Sequence, residues 1–239
     1  MTAAAEPTVI LLPGMDGTGD LFRPLLAAVP PGFTSRCRVI GYPGDEALTY
    51  DELVTIVEQQ VADAGDVVLV AESFSGPLAL RLAARRPAQV RAVVLVASFV
   101  CPPLPRWLRF LVMPILFRVA PPATVLRRLL LGRDAPDSLL REAKAAIGRV
   151  RPAVLALRIK DVLTIDCADD LRRYPGPILY LAAKDDALVR QRSLEAIRSA
   201  RSDVEVRTIP GPHLLLQAQP QAAWREIERF LEEIQARRH

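Results

Sequence analysis

Short runs of almost wholly apolar residues recur along the chain and alternate with segments whose apolar residues follow helical spacing. A short, fully apolar run is typical of a strand that is covered on both faces. The runs predict six strands, at residues 8–12, 37–40, 67–71, 92–97, 177–182 and 204–209. Alternation of such strands with helices predicts the α/β class, with a mostly parallel sheet and helices on both of its faces.

Helical periodicity fills most of the intervals between these strands. A first helix is predicted from Asp20 to the proline-rich turn at residues 30–32. Further helices are predicted at residues 51–64, 74–85, 189–200 and 220–236. One apolar stripe of the last helix contains Trp224, Ile227, Leu231 and Ile234. The pattern predicts a single domain over residues 1–239.

The alternation is interrupted after the strand at residues 92–97. Residues 101–170 are helical in pattern and punctuated by prolines, so this insertion is expected to lie outside the sheet as a helical cap. Its apolar side chains include Trp107, Phe110 and Phe117. We expect them to line an acyl pocket beneath the cap or to pack against the rest of the domain.

Composition excludes several classes of protein. Of the 239 residues, 51% are hydrophobic and 24% are charged, which excludes a disordered chain. Residues 1–7 show no signal-peptide pattern, and arginines and prolines interrupt the apolar segment 108–126, so no transmembrane segment is expected. Three widely spaced cysteines predict a reducing, cytoplasmic location. Because the only histidines are His213 and His239, we expect no metal site, and no cofactor is needed.

The clearest chemical signal lies where the strand at residues 67–71 gives way to a helix. Ser73 stands at the apex of a tight strand-to-helix turn, within Ala-Glu-Ser-Phe-Ser-Gly at residues 71–76. This is the geometry of a nucleophile elbow, whose usual pattern is G-x-S-x-G. Here the two glycine positions hold Ala71 and Ser75, which are small. The alternative interpretation is a tight turn with an incidental serine.

A serine hydroxyl is a weak nucleophile at neutral pH and needs a base. His213 follows the strand at residues 204–209, whereas His239 is the terminal residue and is expected to be solvated. The base in turn needs an acid to orient it. Asp185 and Asp186 both follow the strand at residues 177–182, and we favour Asp186, with Asp185 as the alternative acid.

The chain order Ser73, Asp186, His213 is that of the α/β-hydrolases, and the chain resembles this superfamily over nearly its whole length. The four stretches that carry the resemblance are the oxyanion loop at residues 12–19, the elbow at 71–76, the acid loop at 184–189 and the histidine loop at 211–215. The resemblance implies an oxyanion hole formed by the backbone N–H groups of Met15 and Phe74. It also implies hydrolysis of a carboxylic ester or acyl thioester through an acyl-enzyme.

Three other functions compete with this interpretation. A dinucleotide site is disfavoured because Gly14, Gly17 and Gly19 do not have the G-x-G-x-x-G spacing. A non-catalytic binding module is suggested only by the missing glycines at positions 71 and 75. Acyl transfer by the same acyl-enzyme stays open, since the L-P-G-x-D-G and E-S-F stretches are similar to those of plastid acyltransferase-like hydrolases.

Positive charge is concentrated in one part of the sequence. Residues 101–161 hold twelve basic and four acidic residues, a net charge of +8, whereas the rest of the chain has a net charge of −4. This segment is either a solvated face or a docking surface for an acyl carrier protein, coenzyme A or an anionic membrane. Its layout resembles the carrier-protein methyl ester esterases of biotin synthesis. No nucleic-acid partner is expected, because no recognisable binding motif contains these residues.

Overall fold

Six parallel strands form one sheet at the centre of the protein. The computed structural model describes residues 6–119 and 121–237. The strands are β1 (Thr8–Leu12), β2 (Cys37–Val39), β3 (Val67–Glu72), β4 (Val90–Val96), β5 (Ile178–Ala183) and β6 (Glu205–Ile209), in the order β2-β1-β3-β4-β5-β6. Each predicted strand is present within two residues of its expected ends. The predicted α/β class and parallel sheet are therefore confirmed.

The central strands are buried on both faces because their side chains alternate between two apolar cores. In β3, Val67, Leu69 and Ala71 contribute to the core on one face of the sheet. Val68 and Val70 contribute to the core on the other face. Both faces of the sheet are thus covered, which is why β3 and β4 appear in the sequence as continuous apolar runs.

Eleven α-helices accompany the strands in the described residues. They are α1 (Arg23–Ala28), α2 (Pro31–Thr34), α3 (Tyr50–Gln60), α4 (Ser75–Arg85), α5 (Ala123–Leu126), α6 (Asp137–Gly148), α7 (Pro152–Val162), α8 (Ala168–Arg173), α9 (Gln191–Ala200), α10 (Leu215–Ala218) and α11 (Pro220–Ala236). The first predicted helix is divided: a 3₁₀ turn at Asp20–Phe22 precedes α1. The turn at residues 30–32 ends α1 as expected, but Pro31 also starts α2, because proline is well suited to the first helical position.

The insertion between β4 and β5 contains short turns followed by longer helices. It begins with two 3₁₀ turns, Arg106–Phe110 and Pro114–Phe117, and continues through α5, a π turn at Arg127–Leu131, α6 and α7. A small apolar cluster attaches α5 and α6 to the rest of the protein by way of Leu21 and Leu214. Since Leu171 of α8 lies in a sheet-face core, we propose that the cap ends before α8, slightly earlier than residue 170.

The expectation that Trp107, Phe110 and Phe117 are covered was wrong for two of the three. Trp107 and Phe110 are 60% and 73% exposed, and only Phe117 is partly buried against the apolar cluster next to α7. The physical reason is the local structure. Short 3₁₀ turns separated by prolines present no continuous apolar stripe that one side of the sheet can cover.

Candidate active site

Ser73 occupies the turn between β3 and α4. Its backbone is left-handed, with a φ of 48°, a conformation that costs energy for any residue other than glycine. The end of β4 holds the turn in place. The Ser73 N–H donates to the Val96 carbonyl at 2.8 Å, and the Ser98 hydroxyl donates to the Ser73 carbonyl at 2.7 Å. The Ser73 side chain is therefore presented by a fixed backbone, and it remains partly accessible.

The residues around the turn explain its departures from the usual elbow pattern. The close approach occurs at Gly76, where a Cβ would overlap the Ser98 hydroxyl. Ser75 has a polar role: it donates to the Pro13 carbonyl and accepts from the Tyr42 hydroxyl, whose oxygen lies 2.6 Å away. Sequence reasoning treated Ser75 only as a small residue. Its buried hydroxyl in fact connects the start of α4 to the glycine-rich loop after β1.

His213 lies between Ser73 and Asp186. Its Nε2 is 2.8 Å from the Ser73 Oγ, and its Nδ1 is 2.8 Å from the Asp186 Oδ2. Because a carboxylate only accepts, Nδ1 carries the proton and Nε2 is left to accept the proton of the serine hydroxyl. The side chains of His213 and Asp186 are each 4% exposed, so water has little access to this contact.

The structure distinguishes the two neighbouring aspartates that the sequence left as alternatives. The Asp186 Oδ1 accepts the N–H groups of Leu188 and Val189, each at 2.8 Å, which leaves Oδ2 for the histidine. Asp185 is exposed. The buried contact with His213 is therefore made by Asp186 and not by its exposed neighbour.

The backbone N–H groups of Met15 and Phe74 belong to the loop after β1 and to the start of α4. Among residues 6–119 and 121–237, neither N–H donates a hydrogen bond, so both are available to a ligand. The loop is shaped locally by Asp16, whose carboxylate accepts the N–H and the hydroxyl of Thr18 at 2.9 and 2.6 Å. A pair of free N–H groups is suited to binding an oxyanion.

A buried arginine from the cap holds this loop, and sequence reasoning missed it. Arg158 of α7 is 1% exposed. One of its terminal nitrogens donates to the Met15 carbonyl at 2.7 Å and to the Asp16 carbonyl at 3.1 Å, and the other donates to the Pro43 carbonyl at 2.8 Å. Gly17 makes room for it, since a Cβ there would lie 2.7 Å from the guanidinium.

Aromatic rings surround the same guanidinium and fix Phe74. The ring of Phe74 stacks on Tyr50 with 4.6 Å between centroids, and the Tyr50 hydroxyl donates to the Phe74 carbonyl at 2.9 Å. The Arg158 guanidinium lies 5.8 Å from the Phe74 ring centre and 5.9 Å from that of Tyr42. The only sequence signal for Arg158 is a basic residue on the buried, apolar side of α7.

Glu72, directly before Ser73, is a second buried polar residue that sequence reasoning passed over. It is 1% exposed, and Gln217 of α10 donates to its Oε2 at 3.2 Å. Its Oε1 has no hydrogen-bond partner among the described residues. Burial raises the pKa of Glu72 to about 8, the Gln217 hydrogen bond opposes this shift, and the charge of Asp16 adds to it. Glu72 therefore tends to hold its proton at neutral pH.

Comparisons with known proteins identify the family and the fold of the chain. A family model described as the alpha/beta hydrolase family matches residues 9–226. The fold is similar to that of a hydrolase from Oleispira antarctica, with a TM-score of 0.81, 16% identity, and coverage of 97% of this chain and 93% of that one.

Two further solved structures have the same fold. One is a thermophilic esterase from Thermogutta terrifontis, with a TM-score of 0.78, 18% identity, and coverage of 98% and 92% of the two chains. The other comes from work on carboxylesterases of the thaumarchaeon Nitrososphaera gargenis, with a TM-score of 0.76, 15% identity, and coverage of 98% and 93%. The family match spans most of the chain, and the resemblance seen in the sequence is confirmed. The chain belongs to the alpha/beta hydrolase family.

Proposed function

We propose that the protein is a serine hydrolase that cleaves a carboxylic ester or acyl thioester through an acyl-enzyme. The observation that carries the proposal is the hydrogen-bonded series from Ser73 to His213 to Asp186, with 2.8 Å at each contact. Similarity in fold to an esterase and to carboxylesterases favours ester substrates. The proposed roles are Ser73 as nucleophile, His213 as base, and Asp186 as the acid that orients it, with Asp185 as an exposed alternative.

In the first half of the proposed reaction, the Ser73 Oγ attacks the substrate carbonyl while His213 Nε2 takes the hydroxyl proton. Negative charge develops on the carbonyl oxygen, which accepts hydrogen bonds from the Met15 and Phe74 N–H groups. When the carbonyl reforms, the bond to the leaving group breaks. His213 then gives its proton to the departing alkoxide or thiolate, and the acyl group stays on Ser73.

The second half reverses these roles with water as the nucleophile. His213 removes a proton from water, the hydroxide adds to the acyl carbonyl, and Ser73 leaves with the proton returned by His213. The free acid is released and the enzyme is restored. If an alcohol or thiol occupied the place of water, the same intermediate would give acyl transfer.

Labelling with a fluorophosphonate tests the proposal. The reagent is expected to form an adduct on Ser73 that mass spectrometry of peptides locates. Ser73→Ala should lose the adduct and lower the turnover of p-nitrophenyl esters by at least about 10³-fold. Ser202→Ala is the matched control, because Ser202 is exposed. This variant should leave adduct formation and ester turnover unchanged.

The outcomes separate the competing functions. Hydrolysis by the folded Ser73→Ala variant at the wild-type rate would overturn the proposed nucleophile. A folded wild-type protein that forms no adduct and turns over no ester or acyl thioester would favour a non-catalytic binding module. Faster consumption of ester when an alcohol acceptor is added, with a transacylated product, would favour an acyltransferase.

A further inference from the structure

The first part of the cap exposes an unusual number of large apolar side chains. Nine large hydrophobic residues are exposed in the part of the chain that the structure describes, and all nine lie within residues 104–125. Six of them are Trp107, Phe110, Leu111, Met113, Ile115 and Leu116. Their two 3₁₀ turns bury no residue. Such a concentration of exposed apolar side chains in one segment is typical of an interaction site. We call residues 104–119 and 121–125 the apolar cap face.

The charged residues within this stretch of the sequence have one sign. Residues 101–133 contain six arginines and no aspartate or glutamate. Arg106, Arg109 and Arg118 are exposed, and none of them forms an ion pair with residues 6–119 or 121–237. Arg127 is the exception, because it pairs with Asp137. Unpaired arginines among exposed apolar side chains favour a partner that is both apolar and negatively charged.

The apolar cap face borders the proposed active site. Its partly buried member Phe117 belongs to the apolar cluster that includes Met15. Immediately after the face, the Leu130 carbonyl accepts the N–H of Leu214, the residue that follows His213. A Cβ on Gly132 would lie 3.5 Å from Pro212. The face and the segment after it therefore contact the loops that carry Met15 and His213.

We propose that the apolar cap face docks on an anionic lipid surface. In this arrangement Trp107, Phe110 and their apolar neighbours enter the boundary between headgroups and acyl chains, and the arginines bind lipid phosphates. Docking itself does not require Ser73. Only the identity of the substrate rests on the proposed function: for a serine hydrolase docked in this way, the substrate is an acyl ester presented at a lipid surface.

Two other occupants fit the observations less well. A second copy, related by twofold symmetry, would bring Arg106, Arg109 and Arg118 of both copies together, and residues 104–125 contain no acid to separate them. An acidic carrier protein or coenzyme A would neutralise the arginines but would leave most of the protruding apolar side chains in water. A lipid surface with anionic headgroups satisfies both the charge and the apolar side chains.

Vesicle binding tests the proposal, and the chain provides its own reporter. Trp107 is 60% exposed and Trp224 is 2% exposed, so a change in tryptophan emission on binding reports mainly on Trp107. The expected result is sedimentation of the protein with vesicles of phosphatidylcholine and phosphatidylglycerol, weak binding to phosphatidylcholine alone, and a blue shift of the emission. Ser73→Ala should bind the same vesicles equally well, which separates docking from catalysis.

Charge reversal supplies a matched comparison. The variant R106E/R109E/R118E should bind the anionic vesicles at least about 10-fold more weakly. The control R192E/R198E/R225E makes the same change in net charge at exposed arginines outside the cap and should bind as the wild type does. Phe110→Ser combined with Leu116→Ser should remove the blue shift even at low salt, because the apolar contribution is lost.

Several results would overturn the proposal. One is a folded wild-type protein that fails to bind the anionic vesicles. Another is equal loss of binding in the two charge-reversed variants, which would indicate attraction by net charge alone. A dimer in solution that buries Trp107 would assign the face to a second copy. Saturable binding of an acyl carrier protein that excludes vesicles would assign it to an acidic protein.

Discussion

The proposed active site and the apolar cap face are adjacent but built in opposite ways. In the site, a strained serine, a buried histidine and a buried aspartate are each held by specific hydrogen bonds from neighbouring strands and loops. In the cap face, short 3₁₀ turns expose apolar side chains and unpaired arginines. The proposed site is thus preorganised within the protein, whereas we propose that the cap face binds a partner outside it.

The cap insertion also contacts the proposed site through a residue outside the apolar cap face. Arg158 belongs to the cap insertion, yet its guanidinium is buried and hydrogen-bonds carbonyls of the loop that carries Met15. The inner side of the cap therefore takes part in the preorganisation of the site, although its outer side is exposed.

The largest expected effect concerns the two neighbouring aspartates. Asp186→Asn should lower ester turnover by about 10³-fold or more, because an amide in place of the carboxylate no longer fixes the histidine tautomer. Asp185→Asn is the matched control and should stay within about 2-fold of the wild type, as Asp185 is exposed. Steady-state kinetics with p-nitrophenyl esters measures both. A larger loss in Asp185→Asn than in Asp186→Asn would reverse the assignment of the acid.

The next effect tests the contact between Arg158 of α7 and the loop that carries Met15. Arg158→Ala leaves three carbonyls and a buried space without their partner, so unfolding free energy should fall by about 3 kcal/mol and turnover should fall with it. Denaturant unfolding and kcat/KM measure the two quantities.

Arg151→Ala, directly before the same helix, is the control for this experiment, because the Arg151 side chain is exposed. It should change stability by less than about 0.5 kcal/mol. An Arg158→Ala variant with wild-type stability and turnover would show that the cap contributes nothing to the order of the loop.

A third prediction uses the pKa of Glu72, which burial raises to about 8. At a pH between the pKa of Glu72 in the unfolded chain and its pKa in the folded protein, the folded protein holds a proton on Glu72 that the unfolded chain has lost. Stability therefore falls as pH rises from 5 to 8. Glu72→Gln removes this dependence, so the Tm of the variant relative to the wild type should increase across that range, by the equivalent of at least about 1 kcal/mol.

The exposed residue Glu232 gives the control for the pH experiment. Glu232→Gln should follow the wild-type pH profile throughout. If the difference in Tm between Glu72→Gln and the wild type were constant from pH 5 to pH 8, Glu72 would have an ordinary pKa in the folded protein.

The smallest expected effect lies in the apolar cap face. Phe110→Ser should change unfolding free energy by less than about 0.5 kcal/mol, since the side chain is 73% exposed and leaves no cavity. Phe74→Ser, at a fully buried aromatic of the site, should cost about 3 kcal/mol or more. Denaturant unfolding compares the two. A large loss in Phe110→Ser would mean that the face is covered within the protein.

Much of the fold was readable from the sequence because parallel strands buried on both faces leave unmistakable apolar runs. The helix boundaries were less predictable. The helix predicted at 51–64 begins at Tyr50 and ends at Gln60, and Thr49 and Glu52 form a capping box at its start. The exposure of the cap side chains was not predicted, because the type of an apolar residue does not show whether another part of the protein covers it. The cytoplasmic location and the role of the cap charge stay predictions.

Among the site residues, Ser73 and His213 were identified by local turn patterns and chain order. The choice between Asp185 and Asp186 needed the structure. Ser75, Arg158 and the buried partners of Glu72 were not found, since their contacts join parts of the chain that are far apart in sequence.

No helix in residues 6–119 and 121–237 has the length and apolarity needed to cross a bilayer.

The amino-acid pattern alone predicted the order of the strands, the tight turn at Ser73, and the choice of Ser73 and His213 as candidate site residues. These depend on residue periodicity and turn chemistry, which act over a few neighbours. Only the tertiary structure decided which aspartate faces His213, that Arg158 holds the loop of Met15, and that the cap face is uncovered. Such outcomes depend on which distant groups meet in space and on whether burial leaves a polar or apolar atom without a partner.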